Sequence, residues 1–178
     1  MAKKSLGWLS CIVIVLLAGC QCEEQNANSI TASGNLLQVE NIEDYLVTNI
    51  GISAFGGKVF CAYEPLNAEQ GAEDKIYLWA LCQEYYLEQE LLIPGTGVSL
   101  PVALQIQEKN GRYEVIDHVV PRDGTFYGPD VQATFPRSTW SQIMPQGDDE
   151  INQYNYRANE LEKDTETQAR SYYGIGVP

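Results

Sequence analysis

The stretch "GVSLPVALQIQEKNGRYEVIDHVV", residues 97–120, decides the fold. Val98, Leu100, Val102, Leu104 and Ile106 alternate with mostly small or polar neighbours, a period of two that makes a strand with one apolar face. Asn110-Gly111 interrupts the pattern with two residues that both tolerate positive φ, the strongest short hairpin signal in a sequence. The chain then returns as a second strand. Pro101 cannot donate a ladder hydrogen bond, so the first strand is an edge or begins near that point.

Upstream, residues 58–64 and 76–87 are rich in Val, Phe, Tyr, Trp, Leu and Ile and flank the polar turn region "PLNAEQGAED". They predict another hairpin. The midpoint between Cys61 and Cys82 falls inside that turn, which sets the two cysteines nearly opposite each other. Cβ atoms at such positions are ~4.5–5.5 Å apart, close enough for a disulfide with little adjustment; the plainer alternative is two small buried hydrophobes. Before the strands, "NIEDYLVTNIGISAFGG" offers Asn41 as a cap, Asp44 at the third helical position, and Ile42, Leu46 and Ile50 every four residues. A short amphipathic helix is expected, ending near Gly51 or Gly56-Gly57 and covering one face of the sheet. The predicted class is α+β: about four antiparallel strands in two hairpins, packed by an N-terminal helix, cystatin-like in general shape.

Downstream, "PRDGTFYGPDVQATFPRSTW" is a loop punctuated by Pro and Gly, with a short helix or strand expected at 131–135. Beyond Asp148, the residues Ile151, Tyr154, Ala158, Leu161 and Thr165 recur at spacings of three and four. That face is thin, so a marginal helix is expected that docks lightly or hangs free. The division is a globular domain over 41–145 and an acidic, partly helical tail over 146–178.

The N-terminus fixes the compartment. Lys3 and Lys4 precede an apolar run over 8–17, and Ala18 and Gly19 are small. A membrane span needs ~20 apolar residues, about twice what is present, so export with cleavage is the better reading. Leu17-Ala18-Gly19-Cys20 resembles the lipobox of bacterial lipoproteins. The resemblance implies a signal peptide over 1–19, a diacylglycerol on the Cys20 thiol, and a protein held on the extracytoplasmic face of the cell membrane, or of the outer membrane in a Gram-negative cell. Gln21 lacks the aspartate that tends to retain such proteins at the inner membrane. Cys22 is a spare thiol, a second disulfide partner or the anchor itself. The small polar stretch from residue 21 to about 38 reads as a linker with a reach of roughly 20–25 Å; the segment 20–40 joins anchor to domain.

Charge narrows the partners. The chain has 11 basic and 24 acidic residues; removal of residues 1–19 takes away two lysines and leaves 9 − 24 = −15. Nucleic acid demands a basic face and is excluded, and anionic head groups are disfavoured, so the lipid alone must hold the membrane.

Catalytic motifs are sparse. There is no Gly-x-Ser-x-Gly elbow, His-Glu-x-x-His, phosphate loop or Cys-x-x-Cys. His118 is the sole histidine, and no cofactor or metal is expected. With a two-residue turn, Asp117 falls opposite Leu104 and His118 opposite Ala103, on different faces of the strand. The Asp148-Asp149-Glu150 cluster lacks EF-hand spacing. Aromatic residues concentrate in the sheet and the loop after it. Tyr85 and Tyr86 cannot both face inward, and Tyr86, Asp123, Phe126 and Tyr127 are the candidate binding residues. The expected function is a non-enzymatic binding or accessory lipoprotein whose sheet face and "DGTFYG" loop engage another envelope protein. The alternative is an envelope hydrolase using Asp117 or Asp123 with His118.

Overall fold

A computed structural model describes residue 39 and residues 41–68 and 74–176. The signal peptide, Cys20, Cys22 and the linker up to residue 38 lie outside the described residues. Helix α1 (Ile42–Asn49) precedes strands β1 (Lys58–Pro65), β2 (Lys75–Glu88), β3 (Leu91–Lys109) and β4 (Arg112–Val119). Helices α2 (Tyr127–Thr134), α3 (Trp140–Ile143) and α4 (Asp148–Tyr173) follow, with single 3-10 turns at Gly124–Phe126 and Arg137–Thr139. The sheet is an antiparallel meander in the order β1-β2-β3-β4. No described helix is long and apolar enough to cross a membrane.

The α+β class and the four strands are as expected. The alternation in β3 places Val102, Leu104 and Ile106 in a core with Leu78, Ala80 and Cys82, covered by Ile42 and Leu46 of α1. Asn41 does not cap α1 with its side chain; it sits in the left-handed region, and its carbonyl accepts from Tyr45 N–H. Cys61 pairs directly with Cys82 across β1 and β2, and their sulfurs are bonded at 2.08 Å.

The opposite face is covered as well. Tyr77, Trp79 and Ala103 pack against Val131 of α2, Phe135 just after it, Ile143 of α3 and Leu161 of α4. The C-terminal segment is therefore a 26-residue helix, with Arg157, Leu161, Thr165 and Ala169 buried, in place of the thin, loosely docked helix expected. Its contact face uses small and polar residues, and hydrogen bonds supplement burial. Gln168 Nε2 donates to the Cys61 carbonyl at 3.1 Å, and Tyr173 Oη donates to the Tyr85 carbonyl at 2.9 Å. The acidic run Asp148-Asp149-Glu150 forms the first turn of α4, where negative charge suits the helix dipole. Glu150 Oε2 accepts from Gln146 N–H at 2.8 Å.

Two register shifts reposition side chains. On β4, Ile106 faces Val115 but Gln105 faces Asp117, so Ile116 is an extra residue. His118 consequently lies opposite Leu104 and Asp117 opposite Gln105, reversing the faces that an unbroken ladder gives. On β3, Gly95 and Thr96 together oppose Glu84. The β2–β3 turn is built on Gln89 and Glu90, both at positive φ (51° and 67°) without glycine. β4 pairs no further than Ala103, so β3 from Leu91 to Val102 has no strand partner on that side, and the buried Pro101 lies within this stretch.

Candidate functional site

The parity of β2 that sends Leu78, Ala80 and Cys82 towards α1 also sends Glu84 there. Glu84 is fully buried, and among the described residues no cation pairs with it. Its carboxylate is filled instead by neutral donors from the loop after α1: Ser53 Oγ at 2.8 Å, Ala54 N–H at 2.9 Å, Phe55 N–H at 3.0 Å and Gly57 N–H at 2.7 Å. Thr96 N–H of the β3 bulge adds another at 3.2 Å. Burial alone would raise this carboxyl, but the donors outweigh it and hold the pKa down at about 2. A Cβ at Gly95 would come within 2.7 Å of Glu84 Oε2, so this position needs glycine.

The gripped loop presents Phe55, 64% exposed, stacked on Tyr86 with ring centroids 6.0 Å apart. Leu91, paired with Glu88 and so on the face of Tyr86, is also exposed beside the β2–β3 turn, whereas Leu87 is exposed on the α4 side. Phe55, Tyr86 and Leu91 make an apolar tip whose Phe55 backbone is locked from beneath, with Glu88 and Glu90 at its margin.

A second polar device lies on the other face. Arg157 of α4 is 4% exposed, its guanidinium 4.6 Å from the Trp79 ring centroid and 5.3 Å from that of Tyr154. Nη2 donates to the Gln142 carbonyl at 2.7 Å, and Nη1 lies 3.7 Å from Glu64 Oε1. Burial draws the Arg157 pKa down while Glu64 pushes it up.

The expected site residues are scattered. Tyr85 points into the sheet–α4 layer, its hydroxyl 3.3 Å from Thr165 Oγ1, while Tyr86 faces the other way against Phe55. Tyr127 packs partly buried in the Tyr77–Leu161 core; burial, with Tyr154 nearby, pushes its pKa up to about 12. Phe126 is exposed under the Arg122 guanidinium, 4.3 Å from its ring centroid, and Asp123 is exposed. The loop is strapped by a two-point ion pair, Arg122 Nε to Asp130 Oδ2 and Nη2 to Oδ1, each 2.8 Å. Tyr86 and the loop thus occupy opposite sides of the sheet, and both sheet faces are occupied by helices. His118 Nδ1 lies 3.0 Å from Tyr45 Oη, and Asp117 Oδ1 accepts from the His118 backbone N–H. The two side chains point to opposite faces and form no relay. Among the described residues no three His, Cys, Asp or Glu side chains gather in a metal-holding group.

Sequence reasoning missed Glu84 and Arg157. Each carried a signal: an acid on the inward parity of an apolar strand, and an arginine four residues before Leu161 on the buried stripe of α4. Compared with known protein families, with curated proteins and with solved structures, the chain matches none.

Proposed function

We propose that this chain is a lipid-anchored, extracytoplasmic bacterial binding protein, without a catalytic role, that docks a second envelope protein through the Phe55–Tyr86–Leu91 tip. The observation that carries this reading is the buried Glu84 carboxylate, whose hydrogen bonds hold an exposed aromatic residue in a fixed place. A rigid aromatic anchor loses little entropy on binding, and such residues dominate interfaces. The disulfide between β1 and β2 suits an oxidising compartment, and the lipobox ending at Cys20 supplies the anchor.

Orientation supports a protein partner over the anchoring bilayer. The chain enters the body at Val39, which bridges to Tyr113 beside the β3–β4 turn. The tip lies at the other end of β3, up to roughly 60 Å away for 19 extended residues. Glu88 and Glu90 at its margin would be repelled by anionic lipid, and they fit a partner whose apolar pocket is rimmed by Lys or Arg.

The test is a photo-crosslinking residue placed at 55, at 91, or at the exposed but remote Ile116, in the full chain in producing cells. The expected result is one discrete protein adduct from 55 and 91 and none from 116, weakened by added salt. Identical adducts from all three positions, or lipid adducts alone, would overturn the docking reading. Mass spectrometry of the same product tests the anchor: a diacylglycerol on Cys20 is expected, and an unmodified Cys20 removes it.

A further inference from the structure

A cleft of about 580 Å³ opens between the end of β1, α3 and the first turns of α4. Its size is within the range of about 300–1,000 Å³ usual for small-ligand pockets. We infer that this cleft is a binding site for a neutral, polyhydroxylated ligand, a short saccharide, held by Arg157, Glu64 and the ring of Tyr156. The inference is independent of the apolar tip, which belongs to the opposite face of the sheet.

The chemistry of the lining selects the ligand class. Arg157 reaches the cleft from a side chain that is only 5% exposed, pinned between Trp79 and Tyr154 and by the Gln142 carbonyl. A guanidinium carries five N–H donors and no acceptor. One short hydrogen bond leaves donors to spare. Its neighbour Glu64, 45% exposed, supplies only acceptors, and the 3.7 Å separation is too long for a closed, two-point ion pair. A donor-only group thus stands in a loose ion pair with an acceptor-only group, and each has more hydrogen-bonding capacity than the single contact uses. A hydroxyl both donates and accepts, so two adjacent sugar hydroxyls complete both at once.

Charge argues against the competing classes. An anion drawn to Arg157 would meet Glu64 and Glu150 and the field of a chain with formal charge −13. A cation drawn to Glu64 would meet Arg157. The walls add the Ser141 hydroxyl and the amides of Asn67, Asn152 and Gln153, which serve as donor or acceptor alike. Tyr156, 66% exposed, offers the rim an aromatic face, the usual partner for the apolar face of a pyranose ring. The site is also pre-formed: Gln142, whose carbonyl holds Arg157, has its own side chain fixed by Asn67 N–H at 3.3 Å and by the Ser138 carbonyl at 3.4 Å.

The experiment is calorimetric titration and saturation-transfer NMR of the full body with maltotriose, cellotriose and the N-acetylglucosamine trimer, with glycylglycine as a zwitterionic comparison. At least one trisaccharide is expected to saturate with a Kd of about 1 mM or tighter, with transfer from tyrosine ring protons. Tyr156→Ala, at a substantially exposed position, is expected to weaken it about tenfold or more at unchanged Tm, and Glu64→Gln to weaken it likewise while also taking a counter-charge from the buried Arg157. Arg157→Lys, which keeps the charge and loses the fork, is expected to do the same; should it fail to fold, the other two variants still decide. No saturation by any trisaccharide up to about 10 mM, binding indifferent to Tyr156→Ala and Glu64→Gln, or binding of glycylglycine alone would each overturn the inference.

Discussion

The carboxylate of Glu84 accepts a 2.7 Å hydrogen bond from the backbone N–H of Gly57, closing the loop that follows α1 onto the bulged end of the sheet. Glutamine at this position would turn an NH2 group towards a cluster of N–H donors. Glu84→Gln is therefore expected to melt lower at pH 7 and to free the loop, read as faster amide exchange at Ala54, Phe55 and Gly57. Gly95→Ala, which drives a methyl group towards the same oxygen, is expected to act in the same direction.

The same carboxylate makes stability depend on acid. Its folded pKa of about 2 lies below its ordinary value of 4.5, so its contribution is complete above pH 4.5 and is lost as the pH falls towards 2. Asp130, held down at about 2 by hydrogen bonds from Arg122, acts in the same sense from its ordinary 3.8. Melting temperature measured between pH 6 and 2 is expected to fall steeply below about 4.5 in the parent. In Glu84→Gln the fall should be shallower, and the two curves should converge at the acid end.

Tyr127 gives the alkaline counterpart. Its folded pKa is raised, so the stability it contributes is full below pH 10.0 and disappears as the pH rises to about 12. A titration followed by phenolate absorbance is expected to show a late-ionising tyrosine that is missing in Tyr127→Phe.

The Cys61–Cys82 bond closes a loop with a sequence separation of 21. Constraining the unfolded chain by a loop of that length contributes about 3 kcal/mol. Denaturant unfolding with and without reductant, or of the Cys61→Ala/Cys82→Ala double variant, is expected to show a loss of that size with the same fold retained.

Leu161 tests whether α4 belongs to the body. It is 4% exposed against the Trp79 layer. Leu161→Ala is expected to cost about 2–5 kcal/mol in one cooperative transition. A helix that merely trails from the domain would leave the midpoint unchanged.

Legibility in the sequence followed side-chain chemistry. Alternation in β3, the Asn110-Gly111 turn and the opposed cysteines were readable because each signal is local and apolar or conformational. The β2–β3 turn was not, since Gln89 and Glu90 adopt positive φ without glycine to mark them. The faces of Asp117 and His118 were reversed by one extra residue, Ile116, which composition does not betray. The docking of α4 was underestimated because its buried stripe includes Arg157 and Thr165, whose fit depends on partners distant in sequence. Of the binding residues expected, Tyr86 lies at the apolar tip, and Tyr127 serves the core.

The stretch of β3 that outruns β4 carries Pro94 and Pro101, two residues with no amide hydrogen to offer. A second copy sliding alongside to extend the sheet would find no donor at the exposed Pro94, while Pro101 is itself buried and out of reach. Molecules held at high density could therefore jostle one another along this flank without zipping into fibrils. The longest of the described strands goes without a strand partner over this stretch, and an imino acid at its exposed part works against one being recruited.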